Sequence, residues 1–167
     1  MKTKTPLLPL LIGAFLSTAA VPAMSQTLVL GAGFADFAYG ESDDQGLINL
    51  DYQHKPFHER TRFRAGFGAS LSVHFNGDAY LGAGVYGIYD LNERWFVEGS
   101  VMPGIFLESE ENNDLGGDFQ IRSLLGVGFR FDSGNSLSLA VSHKSNASTE
   151  SFNPGVDALL LRFHHPF

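Results

Sequence analysis

Three side chains near the C-terminal end of this 167-residue chain have the chemistries of a nucleophile, a base and an acid: Ser145, His143 and Asp157. A serine hydroxyl attacks near neutral pH only when a neighbouring base takes its proton. That base works best when a third group fixes its tautomer and stabilises the imidazolium. His143 and Ser145 stand two apart in Leu137-Ser138-Leu139-Ala140-Val141-Ser142-His143-Lys144-Ser145-Asn146. In a strand such residues share a face and lie roughly 6.6 Å apart along it, a gap the two side chains can nearly close. Both fall on the parity of Leu137, Leu139 and Val141, while Asp157 falls on that of Leu159, Leu161, Phe163 and Phe167 in the next apolar stretch. If the two stretches are adjacent antiparallel strands, three polar groups converge on one greasy wall. On spacing alone, a polar rim ending two strands is the better account of them, because a triad is recognised by geometry.

Positioning them requires long strands, and alternation supplies these. In 62–75, Phe63, Ala65, Phe67, Ala69, Leu71, Val73 and Phe75 alternate with Arg62, Arg64, Gly66, Gly68, Ser70, Ser72 and His74. In 119–131, Phe119, Ile121, Leu125, Val127, Phe129 and Phe131 alternate with Gln120, Arg122, Gly126, Gly128 and Arg130. Soluble sandwich strands run to about five or six residues. Transmembrane barrel strands run to about 9–11, with apolar side chains outward and polar or small ones inward. Weaker segments at 27–39, 47–54, 79–89, 94–107, 136–146 and 156–167 bring the expected count to eight, the smallest usual outer-membrane barrel. The fold class is therefore all-β, an eight-stranded antiparallel transmembrane barrel. Segments 54–60, 90–94 and 132–136 read as short turns, and 40–46, 108–118 and 147–156 as longer polar loops. With both termini periplasmic, 147–156 is extracellular.

Composition agrees. The chain is 44% apolar and 17% charged, lacks cysteine and has a formal charge of −7, which excludes collagen-like, disordered and disulfide-scaffold classes. Lys2 and Lys4 precede an apolar run that closes on Ala23-Met24-Ser25, the layout of a secretory signal peptide over 1–25. One domain is expected over 26–167. Without the leader's lysines the remainder holds nine basic against 18 acidic residues, so non-specific nucleic-acid binding is excluded as a function. The absence of cysteine also rules out a thiolate zinc site.

Two stretches, His143-Lys144-Ser145-Asn146-Ala147 and Asn153-Pro154-Gly155-Val156-Asp157, precede a strand ending in Pro166-Phe167. Together they resemble the C-terminal signature of the lipid A 3-O-deacylases, the PagL family. The likeness extends back through Phe96-Val97-Glu98-Gly99, Leu125-Gly126-Val127-Gly128-Phe129 and the Ser133-Gly134-Asn135 turn. The resemblance implies an outer-membrane serine esterase that removes the 3-O-linked acyl chain from lipid A of lipopolysaccharide. It needs no cofactor or metal, works among outer-membrane lipid, and leaves a homodimer open. Position by position it implies Ser145 as nucleophile, His143 as general base and Asp157 as the acid, where glutamate is more usual. It places Asn146 at the oxyanion hole and Asn153 as a supporting loop residue. Ser148 stands where the family pattern has glycine.

Parity and resemblance agree that the site faces outward near the rim, where lipid A presents its esters. Polar groups cost little there compared with the bilayer midplane. Arg62, Arg64, His74, Glu98, Gln120, Arg122, Arg130, Arg162 and His164 have inward parity and read as a hydrogen-bonded lumen. Glu41, Asp43, Asp44, Glu108, Glu110, Glu111, Asp114 and Asp118 read as solvated loop charges, ahead of the alternative that they meet lipopolysaccharide phosphates through divalent ions. His164 and His165 point to opposite faces and cannot readily share a metal. Two alternatives keep the fold and drop the chemistry: a non-enzymatic small barrel serving as adhesin, anchor or ligand binder, and an inactive deacylase relative.

Overall fold

Alternating sequences fold here into alternating faces. The computed structural model describes residues 26–37, 44–109 and 113–167. The expected leader, 1–25, and the loop carboxylates Glu41, Asp43, Glu110 and Glu111 lie outside the described residues. Eight strands run in chain order: β1 Thr27–Phe37, β2 Gln45–Glu59, β3 Phe63–His74, β4 Ala79–Asp90, β5 Trp95–Leu107, β6 Phe119–Arg130, β7 Ser136–Ser145 and β8 Val156–Pro166. Each pairs antiparallel with the next, and β1 pairs with β8 to close the barrel, leaving no free sheet edge. Closure reaches the chain end, where Phe167 N donates to Gln26 O at 2.9 Å.

The outward face is apolar and bare. Phe67, Leu125 and Leu161 are 61%, 60% and 58% exposed, whereas Asp51, Arg122 and Arg162 are each 1% exposed. Such an inside-out distribution is stable only if hydrocarbon covers the wall. Phe63, Tyr89, Trp95 and Phe131 are outward-facing and exposed near the end that holds the termini, as an interfacial aromatic girdle requires. Arginine at Leu125, in the middle of β6, is expected to cost about 2–4 kcal/mol of folding stability in vesicles, against about 0–1 kcal/mol at Leu107 on the end of β5. Urea titration of the two variants measures the difference, and equal costs would mean that the apolar band does not face lipid.

Inside, charge is paired with charge. Asp51 on β2 accepts from Arg122 Nη1 and Nη2 at 3.1 and 2.9 Å and from Arg162 Nη2 at 2.6 Å. Arg162 Nη1 also lies 2.7 Å from Glu98, whose Oε1 accepts from Ser138 Oγ at 2.6 Å. Stripping one partner from such a buried set leaves an uncompensated charge, so the network locks the barrel wall. Small inward residues make room for the packing: a Cβ on Gly128 would stand 2.1 Å from the Phe96 ring. Arg64 and Arg130 meet at Asp90, at 3.3 and 2.5 Å, close to the terminal end. Arg62, assigned to the lumen by parity, instead sits exposed in the β2–β3 turn.

The main departure from expectation is β2. Segment 54–60 reads as a turn, yet β2 continues to Glu59, and the reversal is tighter, with Arg60 N donating to Phe63 O at 2.7 Å. Register shifts at Gln53/Pro56 and Pro56/His58 absorb the proline. A bulge is one of the few places a strand tolerates proline, and it also breaks the alternation that would have revealed the extension.

At the opposite mouth, loop residues form a cap. Leu115, 1% exposed, packs with Phe37, Tyr80, Phe106 and Val156. Asp78, in the β3–β4 turn, accepts from Ser109 N at 2.7 Å, Asn113 Nδ2 at 2.7 Å and Asn76 Nδ2 at 2.8 Å. Burial would raise the Asp78 carboxyl, but those donors together outweigh it and hold it below the ordinary aspartate range. The cap is thus built around a carboxylate that stays ionised.

Candidate active site on the outer wall

The barrel register brings four outward polar residues into one row. His143 on β7 is the direct cross-strand partner of Asp157 on β8 and of Ser123 on β6, and Asp157 is the partner of Asp36 on β1. Side chains directly opposite in antiparallel strands have Cβ atoms about 4.5–5.5 Å apart, so the members of the row are near neighbours. His143 Nδ1 and Asp157 Oδ1 are 2.8 Å apart, with the side chains 50% and 72% exposed. The carboxylate can hold the proton on Nδ1 and leave Nε2 as the basic nitrogen. Aspartate bridges this distance without the extra methylene of glutamate, because the register sets the two residues directly opposite.

Ser145 ends β7, half-buried, on the face of His143. Among the described residues no hydrogen bond joins its hydroxyl to His143. A serine Oγ turns freely about one bond, and catalytic hydrogen bonds in unliganded sites are often long until substrate tightens them.

Below the polar row lies an apolar one, Leu125, Val141, Leu159 and Phe34, again matched by register. Together the two rows line a groove of about 710 Å³ on the outer wall. His143 and Asp157 are at one end of its lining and aliphatic side chains at the other, which suits an ester whose acyl part is a long hydrocarbon. Ser123 and Asp36 were not singled out by sequence reasoning. The signal was present, since each interrupts an outward apolar run: Ile121 and Leu125 flank Ser123, and Phe34 precedes Asp36.

Asn146 and Asn153 are placed differently from the expectation. Asn146 is fully buried, and its Nδ2 donates to the carbonyls of Leu115 at 3.2 Å, Gly116 at 3.4 Å and Phe152 at 2.7 Å. Its Oδ1 accepts from Ser148 N at 2.9 Å, while Asn153 Oδ1 accepts from Asn146 N at 3.0 Å. Expected beside an oxyanion, the Asn146 amide is instead spent on the loops. Both asparagines tie the end of β7 to the 115–117 and 147–155 segments, and so support the site through the backbone.

Ala147 and Ser148 follow with φ of 54° and 62°, the left-handed region that costs an L-residue about 1–2 kcal/mol. This is a physical reason for glycine at the position of Ser148. Ser148→Gly is expected to raise stability by up to about 1–2 kcal/mol, whereas Asn146→Ala leaves buried carbonyls unpaired at a cost of about 1–3 kcal/mol. Thermal unfolding in detergent, with limited proteolysis of the loop, checks both directions.

Comparison with known proteins follows from this geometry. A family model described as lipid A 3-O-deacylase (PagL) matches residues 46–166. A lipid A deacylase PagL from Bordetella bronchiseptica (strain ATCC BAA-588 / NCTC 13252 / RB50) is 30% identical over 76 residues, covering 45% of this chain and 43% of that protein. The aligned part is thus less than half the length of that relative. Among solved structures, the outer membrane enzyme PagL superposes with a TM-score of 0.65 at 19% identity, over 84% of this chain and 99% of that one. Neisserial surface protein A superposes with a TM-score of 0.57 at 12% identity, over 85% of this chain and 96% of that one. Both likenesses concern the fold, an eight-stranded barrel.

Proposed function

Because the chain belongs to the lipid A 3-O-deacylase (PagL) family, we propose that it is an outer-membrane serine esterase that removes the 3-O-linked 3-hydroxy fatty acid from lipid A. The observation that carries the reading is the His143–Asp157 contact of 2.8 Å on an apolar outer wall, with Ser145 on the same face. A plain lipid-facing wall has no use for an exposed imidazole–carboxylate pair. The inward carboxylates Asp51 and Glu98 are buried and bound to Arg122 and Arg162, out of reach of a lipid on the outer wall.

In the proposed mechanism Nε2 of His143 takes the Ser145 proton as Oγ attacks the ester carbonyl, and Asp157 stabilises the imidazolium. The tetrahedral intermediate collapses, His143 gives its proton to the departing sugar oxygen, and the acyl group remains on Ser145. Water then attacks the acyl-enzyme, with His143 again as base, and releases the fatty acid. The Ala147 amide, in the loop held in shape by Asn146 and Asn153, is the candidate oxyanion donor, since the amides of Asn146, Ser148 and Thr149 already donate within the loop. Such a donor is worth about 2.7–4 kcal/mol where it has been removed in a serine hydrolase. The site faces the outer leaflet, where the sugar esters of lipid A lie at the depth of the β7 and β8 ends.

The experiment is mass spectrometry of lipid A from a lipopolysaccharide-bearing host with no 3-O-deacylase of its own, with and without this protein. Loss of one 3-hydroxyacyl group is expected. Unchanged lipid A in cells carrying the folded barrel would favour the non-enzymatic readings.

A further inference from the structure

The pair His143 and Asp157 is exposed, and a polar contact between two exposed side chains does not by itself fix a ring: it is weak, and both chains retain rotamer freedom. Something else must set the imidazole. One backbone segment comes against it. Gly155, the residue before β8, has φ of +74°, and a Cβ built on it would stand 3.0 Å from His143 Cε1, 3.6 Å from Nε2 and 3.2 Å from Lys144 O. Carbon atoms settle about 3.5–4.0 Å apart, so any side chain at 155 must displace the ring by several tenths of an ångström.

The approach is held from both sides. The β7–β8 register ends at Lys144 and Val156, which sets Gly155 beside the end of β7 where Ser145 lies. Asn153 Oδ1 accepts from Asn146 N, tying the incoming turn to the same strand end. The ring thus has Asp157 at Nδ1, and its Cε1–Nε2 edge occupies space that a Cβ at 155 would claim.

We propose that Gly155 is a positioning residue for the general base: having no Cβ, it leaves open the space that the edge of the His143 imidazole occupies, so that Nε2 is presented toward Ser145. The inference rests on the reading of His143 as general base. Its logic is geometric, since misplacing a reacting group by about 1 Å can cost about a hundredfold in rate, and a displacement of a few tenths costs correspondingly less.

The test uses Gly155→Asn, because asparagine enters the left-handed region more readily than other side chains and so adds the Cβ with less backbone strain than they would. The folded variant barrel is expected to lose about tenfold or more in kcat on lipid A, with KM within about twofold. Adding Asp157→Glu, whose longer acid can follow a displaced ring, is expected to recover part of the loss. Wild-type kcat in Gly155→Asn overturns the proposal. A second measurement needs neither a variant nor activity: in the wild-type barrel, NMR in detergent is expected to give a contact between His143 Hε1 and the Gly155 α-protons, and its absence also overturns the proposal. If lipid A is untouched by wild-type protein while that contact is present, the deacylase reading fails and the placement of the ring stands.

Discussion

Ser145→Ala and His143→Ala are each expected to cut release of 3-hydroxy fatty acid from lipid A by about 10⁴-fold or more, since nucleophile and base act as a unit and losing either removes nearly all of their joint effect. Neither change touches what holds the barrel. Ser145 caps a strand end, and His143 is half exposed on the outer wall, away from the buried Asp51, Glu98, Arg122 and Arg162 network. Heat-modifiable gel mobility and thermal unfolding are therefore expected to stay at wild-type values while the lipid A mass spectrum reverts to the fully acylated form. Ser145→Ala protein that folds and deacylates at the wild-type rate would falsify the nucleophile and the mechanism together.

Asp157→Asn is expected to be nearly as severe, by roughly 10⁴-fold in kcat if the contact behaves as in the serine-protease template. The amide has almost the shape of the carboxylate, so the fold is indifferent to it. It cannot stabilise an imidazolium, and its NH₂ group, turned to Nδ1, would favour the wrong tautomer. Asp157→Glu is expected to keep most activity. The present contact is already 2.8 Å and Asp157 is 72% exposed, so a longer side chain has free space in which to bend. Steady-state rates for the two variants under one set of conditions separate charge from length. Equal rates for Asn and Asp would show that the 2.8 Å contact is only a polar rim.

What could be read from the residues was whatever depends on parity. Eight strands, the apolar outer wall and the shared face of His143, Ser145 and Asp157 all follow from a two-residue period, because each Cβ in a strand points opposite to the last. Parity fails where the backbone leaves the regular pleat. Pro56 sits between two register shifts, so the end of β2 changes phase and looks like a turn. Arg62 lies past a strand end, where inward and outward lose their meaning. Asn146 marks a different limit: its Nδ2 is shared among the carbonyls of Phe152, Leu115 and Gly116, and no local pattern reports the last two, about thirty residues earlier. Family likeness named Asn146 and Asn153 as part of the site, but only the folded loops assign their hydrogen bonds.

The groove on the outer wall changes what concentration means for this protein. Leu125, Val141, Leu159 and Phe34 border His143 and Asp157 on the apolar outer wall, so in the proposed reaction the lipid substrate arrives by lateral diffusion without crossing bulk water. Turnover then tracks the mole fraction of substrate in the surrounding lipid or detergent, and adding inert amphiphile slows it even when the amount of substrate per litre is unchanged. A KM in molar units describes the assay mixture; the protein itself samples a two-dimensional solution.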